Sequence, residues 1–223
     1  MRMSENNAET VFEFGAQYQQ PSISNIEQTL NAKEETPVGY SNGVDGKHYT
    51  LIFCRRKCGN DEDILLGMKK RGVGMGKWNG FGGKVEPGES IDDATKRELE
   101  EESSVIAGKI TKRGYIVETV DSTNMKFYIH VYDCWEFNGE ATETEEMRPQ
   151  WYNINELPWK SMWCDDQYWF PLLLNNISIF TGRFTLSDEE TMKSYVIIDH
   201  TGHVNNATLK PDFDTNESDS DME

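Results

Sequence analysis

Apolar and polar positions along the 223-residue chain sort into a patterned middle and two unpatterned ends. The runs HYTLIFC (48–54) and DILLGMKK (63–70) predict strands. KITKRGYIVETV (109–120) and MKFYIHVYDCWEF (125–137) alternate and are rich in β-branched and aromatic residues, so they also predict strands. RPQWYNI (148–154) predicts another, and GRFTL and KSYVII predict two late strands. Ser90 to Ser103 predicts a helix, and so does Asp165 to Leu174, with Pro171 tolerated in its first turns. Gly-rich sequence fills Gly72 to Gly83. Many strands around few helices imply an α/β fold, a mixed sheet flanked by helices. No internal repeat is visible. Residues 1–47 are rich in Asn, Gln, Glu and Ser without sustained period and are expected to be a disordered polar extension, in which VFEFGAQY is a candidate docking segment. Residues 203–223 are expected to be an acidic disordered tail, with Ser218 and Ser220 as candidate phosphorylation sites. One domain is expected over 48–202.

Composition narrows the class. Hydrophobic residues make up 36% and aromatics 11%, which suffices for one core. No apolar run approaches the roughly 18 residues a membrane helix needs. The start, MRMSENNAETVFEF, lacks the basic and apolar regions of a secretory signal and is too acidic for a mitochondrial presequence. A soluble, monomeric protein of the cytoplasm is expected, with the nucleus and mitochondria left open. Cys54, Cys58, Cys134 and Cys164 lack zinc-type pairing and read as reduced thiols. The formal charge is −17, of which the two ends carry −4 and −5 and the domain −8. That balance disfavours nucleic acid and membrane surfaces, which need clustered Lys and Arg. It leaves room for a small anion that arrives with a divalent cation.

Candidate chemistry centres on GKVEPGESIDDATKRELEEESSV (83–105), where eight of 23 residues are acids. Ser90 is placed to cap the helix with Asp93 three residues on. At 100° per residue, Glu98, Glu101 and Glu102 fall within an arc of about 100°, together with Ile91, Ala94 and Val105. Glu100, Asp92, Asp93 and Lys96 point elsewhere. Three carboxylates on an inward flank repel one another and lose hydration. A hard cation with oxygen ligands resolves this, and Mg²⁺ commonly combines a few carboxylates with substrate phosphates. Gly80, Gly82 and Gly83 let main-chain groups come close to such a ligand. Arg97, on another face, is positioned to pair with Glu89 and fasten the preceding loop.

Gly83, five residues, Glu89, seven residues, then Arg97-Glu98-Leu99-x-Glu101-Glu102 resembles the signature of the Nudix hydrolases. Ser104 departs from it, since the family has Gly there to end the helix in a left-handed conformation. GMKKRGVGMGKWNGFGGKV, EEMRPQW and MWCDDQYWFPLLL resemble the branch of that family that clears oxidised purine nucleoside triphosphates, over about Tyr49 to Ile198. The resemblance implies a Nudix-type α/β/α sandwich with a mixed sheet. It implies Mg²⁺-dependent hydrolysis, with Mn²⁺ as a substitute, of 8-oxo-dGTP and 2-hydroxy-dATP to the monophosphate and pyrophosphate. Such a reaction sanitises the nucleotide pool and avoids DNA damage. The implied metal ligands are Glu98, Glu101, Glu102, Glu146 and the carbonyl of Gly82, with Arg97 in the catalytic set. Whether Glu101 or Glu102 takes the proton stays open.

The same resemblance implies that Lys69 and Lys84 face phosphate, beside Gly82 and Gly83, with Lys77 steering. It places the base among Thr50, Asn79, Phe81, Trp163, Cys164, Asp165 and Asp166. Asn79 offers a donor and an acceptor to a purine edge, and Trp163 offers a stacking face. Two adjacent acids sharing a proton would accept and donate at once. Four positions depart from the branch: Cys164 replaces a proline, and Glu118, Val73 and Val120 replace aromatics near the base. Three other readings compete. They are hydrolysis of another nucleoside polyphosphate, a silent Nudix-fold binding module, and an acidic scaffold that leaves the Gly-rich segment unexplained.

Overall fold

The structure, a computed structural model, describes residues 47–176, 179–188, 191–199 and 204–208. Most of the polar extension, VFEFGAQY included, and the tail from residue 209, with Ser218 and Ser220, lie outside the described residues.

The elements run β1 (Lys47–Cys58), β2 (Asp61–Lys69), β3 (Trp78–Asn79), α1 (Ile91–Ser103), β4 (Ile106–Ala107), β5 (Ile110–Val120), β6 (Met125–Cys134), β7 (Phe137–Asn138), β8 (Met147–Asn153), a 3-10 turn (Trp159–Ser161), α2 (Asp166–Leu174), β9 (Phe180–Leu186), β10 (Met192–Asp199) and β11 (Val204–Thr208). The main sheet has the order β11-β10-β9-β5-β6-β1-β2-β3, with β8 also on β2. It is mixed: β1 with β6 and β5 with β9 are parallel, and the other pairs are antiparallel. The expected α/β class with a mixed sheet is what the chain forms. The tail boundary needs correction: Val204–Thr208 pairs with β10, so the sheet continues past residue 202.

The continuous apolar run of β1 follows from its place in the middle of the sheet, since a strand covered on both faces has no polar side. Leu51 and Phe53 point to the α2 side, where Trp169, Phe170 and Leu173 meet Phe180 and Phe184. Ile52 and Cys54 point to the α1 side, against Leu99, Phe81, Val105 and Tyr132. Burying each such side chain contributes about 1.5–3 kcal/mol. Both helices are thus fastened to opposite faces of one strand.

The ends of α1 are set by short polar bonds. Ser90 Oγ accepts from Asp93 N–H at 3.1 Å. Ser104 takes the left-handed conformation (φ 62°) and its N–H bonds the Glu100 carbonyl at 2.8 Å. Serine therefore adopts the backbone that glycine would supply more cheaply. At α2, Pro171 occupies the second turn. The far end of α2 is held by Arg55, which is fully buried. Arg55 Nη1 bonds Leu173 O at 2.7 Å and Nη2 bonds Leu174 O at 2.8 Å, two carbonyls of the helix's last turn.

Candidate active site

Residues 80–85 lie along β1 as an irregular extra strand. Ile52 N–H bonds Phe81 O at 2.8 Å, Phe81 N–H bonds Ile52 O at 3.0 Å, and Thr50 N–H bonds Gly83 O at 2.9 Å. The fit leaves no room for side chains at two glycines, for different reasons. A Cβ on Gly82 would sit 1.9 Å from the Thr50 carbonyl oxygen, which is main chain and cannot yield. A Cβ on Gly83 would sit 2.5 Å from the Glu98 carboxyl, which can swing away. Gly82→Ala is therefore expected to destabilise the fold by several kcal/mol, on the order of a severe core lesion. Gly83→Ala should leave the melting temperature nearly unchanged yet lower turnover at least about tenfold through displaced Glu98. Thermal melts and turnover of both variants check the contrast.

The loop brings the helix acids onto its backbone. Glu102 is buried, 4% exposed. Its Oε2 accepts from Gly82 N–H at 2.9 Å, and its Oε1 lies 3.5 Å from Lys69 Nζ. Burial pushes the Glu102 carboxyl up to about 7, against the pull of Gly82 and Lys69 and with added repulsion from Glu98 and Glu146. Burial also raises Glu98, although Arg97 opposes it. Glu101 differs: its side chain is 60% exposed. The expectation of three inward carboxylates is corrected here. The buried face of α1 carries Ala94, Thr95, Leu99, Glu102 and Ser103. Glu98 sits at one edge of it and Glu101 beyond the rim.

Arg97 reaches further than its own face suggests. It bonds both Glu89 oxygens, at 3.1 and 2.8 Å, as expected for fastening the loop. It also bonds Glu98 Oε1 at 2.8 Å and Glu101 Oε2 at 3.1 Å. Its bond holds Glu89 below the usual carboxylate range. Glu146 is paired with Arg71, and Lys69 Nζ lies 3.9 Å from its Oε2. So Lys69 sits between Glu102 and Glu146, two of the expected metal ligands. Lys84 is exposed. The expected metal ligands are instead held by cations: Glu98 and Glu101 by Arg97, Glu102 by Lys69 and Glu146 by Arg71.

The residues expected around a base divide. Asp165 and Asp166 are both buried, at 5% and 2% exposure. Asp165 Oδ2 accepts from Trp169 Nε1–H at 2.9 Å, and Asp166 Oδ2 accepts from Trp163 N–H at 2.9 Å. Asp165 precedes α2 but makes no side-chain capping bond, so its carboxyl is not used on the helix end. Burial raises both acids. Trp163 packs over Gly74, and Lys77 Nζ lies 5.1 Å from its ring centroid. Lys77, Trp163 and Cys164 line one depression. Val120 is buried and Val73 is exposed. Asn79 Oδ1 accepts from Gly80 N–H at 2.7 Å, so its acceptor is engaged locally. Thr50 is buried, and its Oγ1 makes no hydrogen bond among the described residues. Phe81 is a correction: it is fully buried in the α1-side core against Gly67, so it supports the loop instead of lining a pocket.

The sequence did not foresee the meeting of Tyr49 and Phe127, whose rings are 5.7 Å apart on the strand face that also carries Leu51 and Val131 of the α2-side core. The strand alternation carried the signal, but only the pairing of β1 with β6 brings the two together.

The fold and the carboxylate helix over a glycine loop define a hydrolase class, and the family model for the NUDIX domain matches residues 50–173. The chain belongs to the Nudix family. Over 148 residues it is 45% identical to the oxidized purine nucleoside triphosphate hydrolase of Mus musculus, covering 66% of this chain and 91% of the mouse protein. It is 44% identical over 138 residues to the protein of the same name from Danio rerio, covering 61% and 84%. The crystal structure of a MutT protein from Bacillus halodurans superposes with a TM-score of 0.60 at 23% identity, covering 68% of this chain and 97% of that one, which shows the shared fold. Nudix hydrolases generally need divalent metal ions.

Proposed function

We propose that this chain hydrolyses oxidised purine nucleoside triphosphates, 8-oxo-dGTP and 2-hydroxy-dATP, to the monophosphate and pyrophosphate in a Mg²⁺-dependent reaction. The observation that carries this reading is the carboxylate of Glu102, buried on Gly82 N–H beside Lys69, in a chain 45% identical to the mouse enzyme of that name. With Glu98 and Glu146 adding to the negative charge around it, a bound cation would stabilise the ionised form of this acid. The donor set suits Mg²⁺, with Mn²⁺ as substitute: hard carboxylate oxygens and a glycine backbone pressed against Glu98. Glu98, Glu101, Glu102, Glu146 and the Gly82 carbonyl would hold it. When bound, the ion supplies charge neutralisation on the phosphates and acidifies a water.

The chain's own side chains do the rest. Lys69 and Lys84 meet the phosphate charge. Glu102, fixed from two sides, is the acceptor for the proton of the attacking water, whereas Glu101 is open to solvent and engaged with Arg97. Arg97 keeps the loop and helix together through Glu89. Thr50, Asn79, Trp163, Cys164, Asp165 and Asp166 receive the nucleoside, with Trp163 stacking on the base. A competition between 8-oxo-dGTP, 2-hydroxy-dATP and dGTP in magnesium buffer, read as pyrophosphate release, checks the substrate class. The oxidised purines should be turned over at least about tenfold more efficiently than dGTP. Equal efficiency would remove that reading.

A further inference from the structure

Glu118 lies on the same face of β5 as Ile116 and Val120, which are both buried. Register sets it beside Phe127 of β6 and Phe184 of β9. This face carries the α2-side core, so an acid stands where the alternation calls for an apolar side chain. Its carboxyl is hydrogen bonded to that of Asp165. Two bonded carboxyl groups need a proton between them, because an ionised carboxylate only accepts. Asp166 adds a third acid next to the pair. The charged groups facing this cluster are Asp165 and Asp166 at the start of α2 and Lys77 from the loop after β2. The neighbours on β6 and β9 are apolar, and Arg183 pairs with Val117, whose side chain points to the opposite face.

We propose that Glu118 is a specificity-determining residue: by sharing a proton with Asp165 it makes one three-carboxyl group, able to donate and accept, that selects among purine edges. The inference rests on the reading that the base enters beside Trp163 and the acid pair. Burial, the neighbouring Asp165 charge and Glu118 all raise Asp166. Removing Glu118 takes away one like charge, so Asp166 ionises more readily and its protonated form is lost at lower pH. Glu118→Leu removes the acid. Glu118→Gln keeps the shape and a donor to Asp165 but cannot share a proton.

The experiment measures kcat and KM for 8-oxo-dGTP, 2-hydroxy-dATP and dGTP from neutral to alkaline pH, for the full chain and both variants. In Glu118→Leu, the ratio of kcat/KM for the two oxidised purines should move by about tenfold or more. The alkaline rise in KM should begin at lower pH in both variants, which a merely structural wall residue would not cause. An unchanged ratio and an unmoved KM limb, in variants of an enzyme that still prefers oxidised purines, overturn the role of Glu118. A wild-type chain with no preference for oxidised purines over dGTP instead overturns the base reading on which it rests.

Discussion

Glu102→Gln is expected to lower kcat by about 10²–10⁴-fold, in the range of losing a positioned proton acceptor, with the fold intact. The amide oxygen can still accept from Gly82 N–H, so the loop keeps its hold on α1. What disappears is the negative charge. A buried carboxylate among Glu98, Glu146 and Lys69 is costly to the folded chain. The variant should therefore melt no lower than the wild type, and a small gain in stability is consistent with removing repulsion. Loss of turnover with an unchanged or raised melting temperature separates a functional acid from a structural one. A variant that turns over within about threefold of wild type, well below the loss expected for such a group, would remove Glu102 from the chemistry.

Arg55→Met is expected to cost about 3–5 kcal/mol, the range for breaking a buried ion pair by removing one partner. Arg55 is paired with Glu62 and lies 3.6 Å from Asp133, both of them buried. Its guanidinium also bonds Leu173 O, Leu174 O and Asn176 Oδ1 and stacks 4.7 Å from the Trp135 ring centroid. Methionine fills much of the space but leaves Glu62 without its main buried partner and takes the guanidinium donors away from Leu173 O and Leu174 O, the first of which keeps only Asn175 and Asn176 N–H. The melting temperature should fall on the order of 10 °C for a domain of this size. Because α2 starts beside Asp165 and Asp166, KM should rise as well. Differential scanning calorimetry decides the first point, and a shift below about 2 °C, less than 1 kcal/mol at this size, would contradict the account.

Most of the frame was legible in the sequence because the domain keeps strict periods. The alternation of 109–120 and 125–137 gave two central strands, and Ser90 with the following acids gave the start of α1. Which way Glu118 faces was not legible: only the register of β5 sets it beside Phe127 and Phe184. The orientation of α1 was less legible. Thr95 and Ser103 are buried because their hydroxyls bond the Ile91 and Leu99 carbonyls, at 2.7 and 2.6 Å. Two polar residues thus belong to the inner face, and a wheel drawn on apolar residues alone turns it toward Glu101. Val105 misled in the same direction, since the left-handed Ser104 takes it out of the helical period.

Other features had no local signal. NGFGG does not say whether the Phe81 ring faces a ligand or the core, because that depends on how the loop lies against β1. VNNAT lacks the alternation of a strand, and its pairing is supplied by β10. Arg55 follows an apolar run and reads as the exposed end of a strand, although Glu62, seven residues on, and the end of α2 close over it. In the site itself, the types of residue were legible. Their present partners were not, since Arg71, Lys69 and Arg97 come from three places in the chain.

In the proposed reaction the carboxylates of α1 hold a divalent cation over the glycine loop. Mn²⁺ titrated into the full chain with a nonhydrolysable nucleoside triphosphate, with free ion followed by electron paramagnetic resonance, tests this most directly. The wild-type chain should bind the ion, and Glu102→Gln should bind it at least about tenfold more weakly, a loss no smaller than that from removing a ligand's supporting partner. Equal affinity in the two proteins would contradict it.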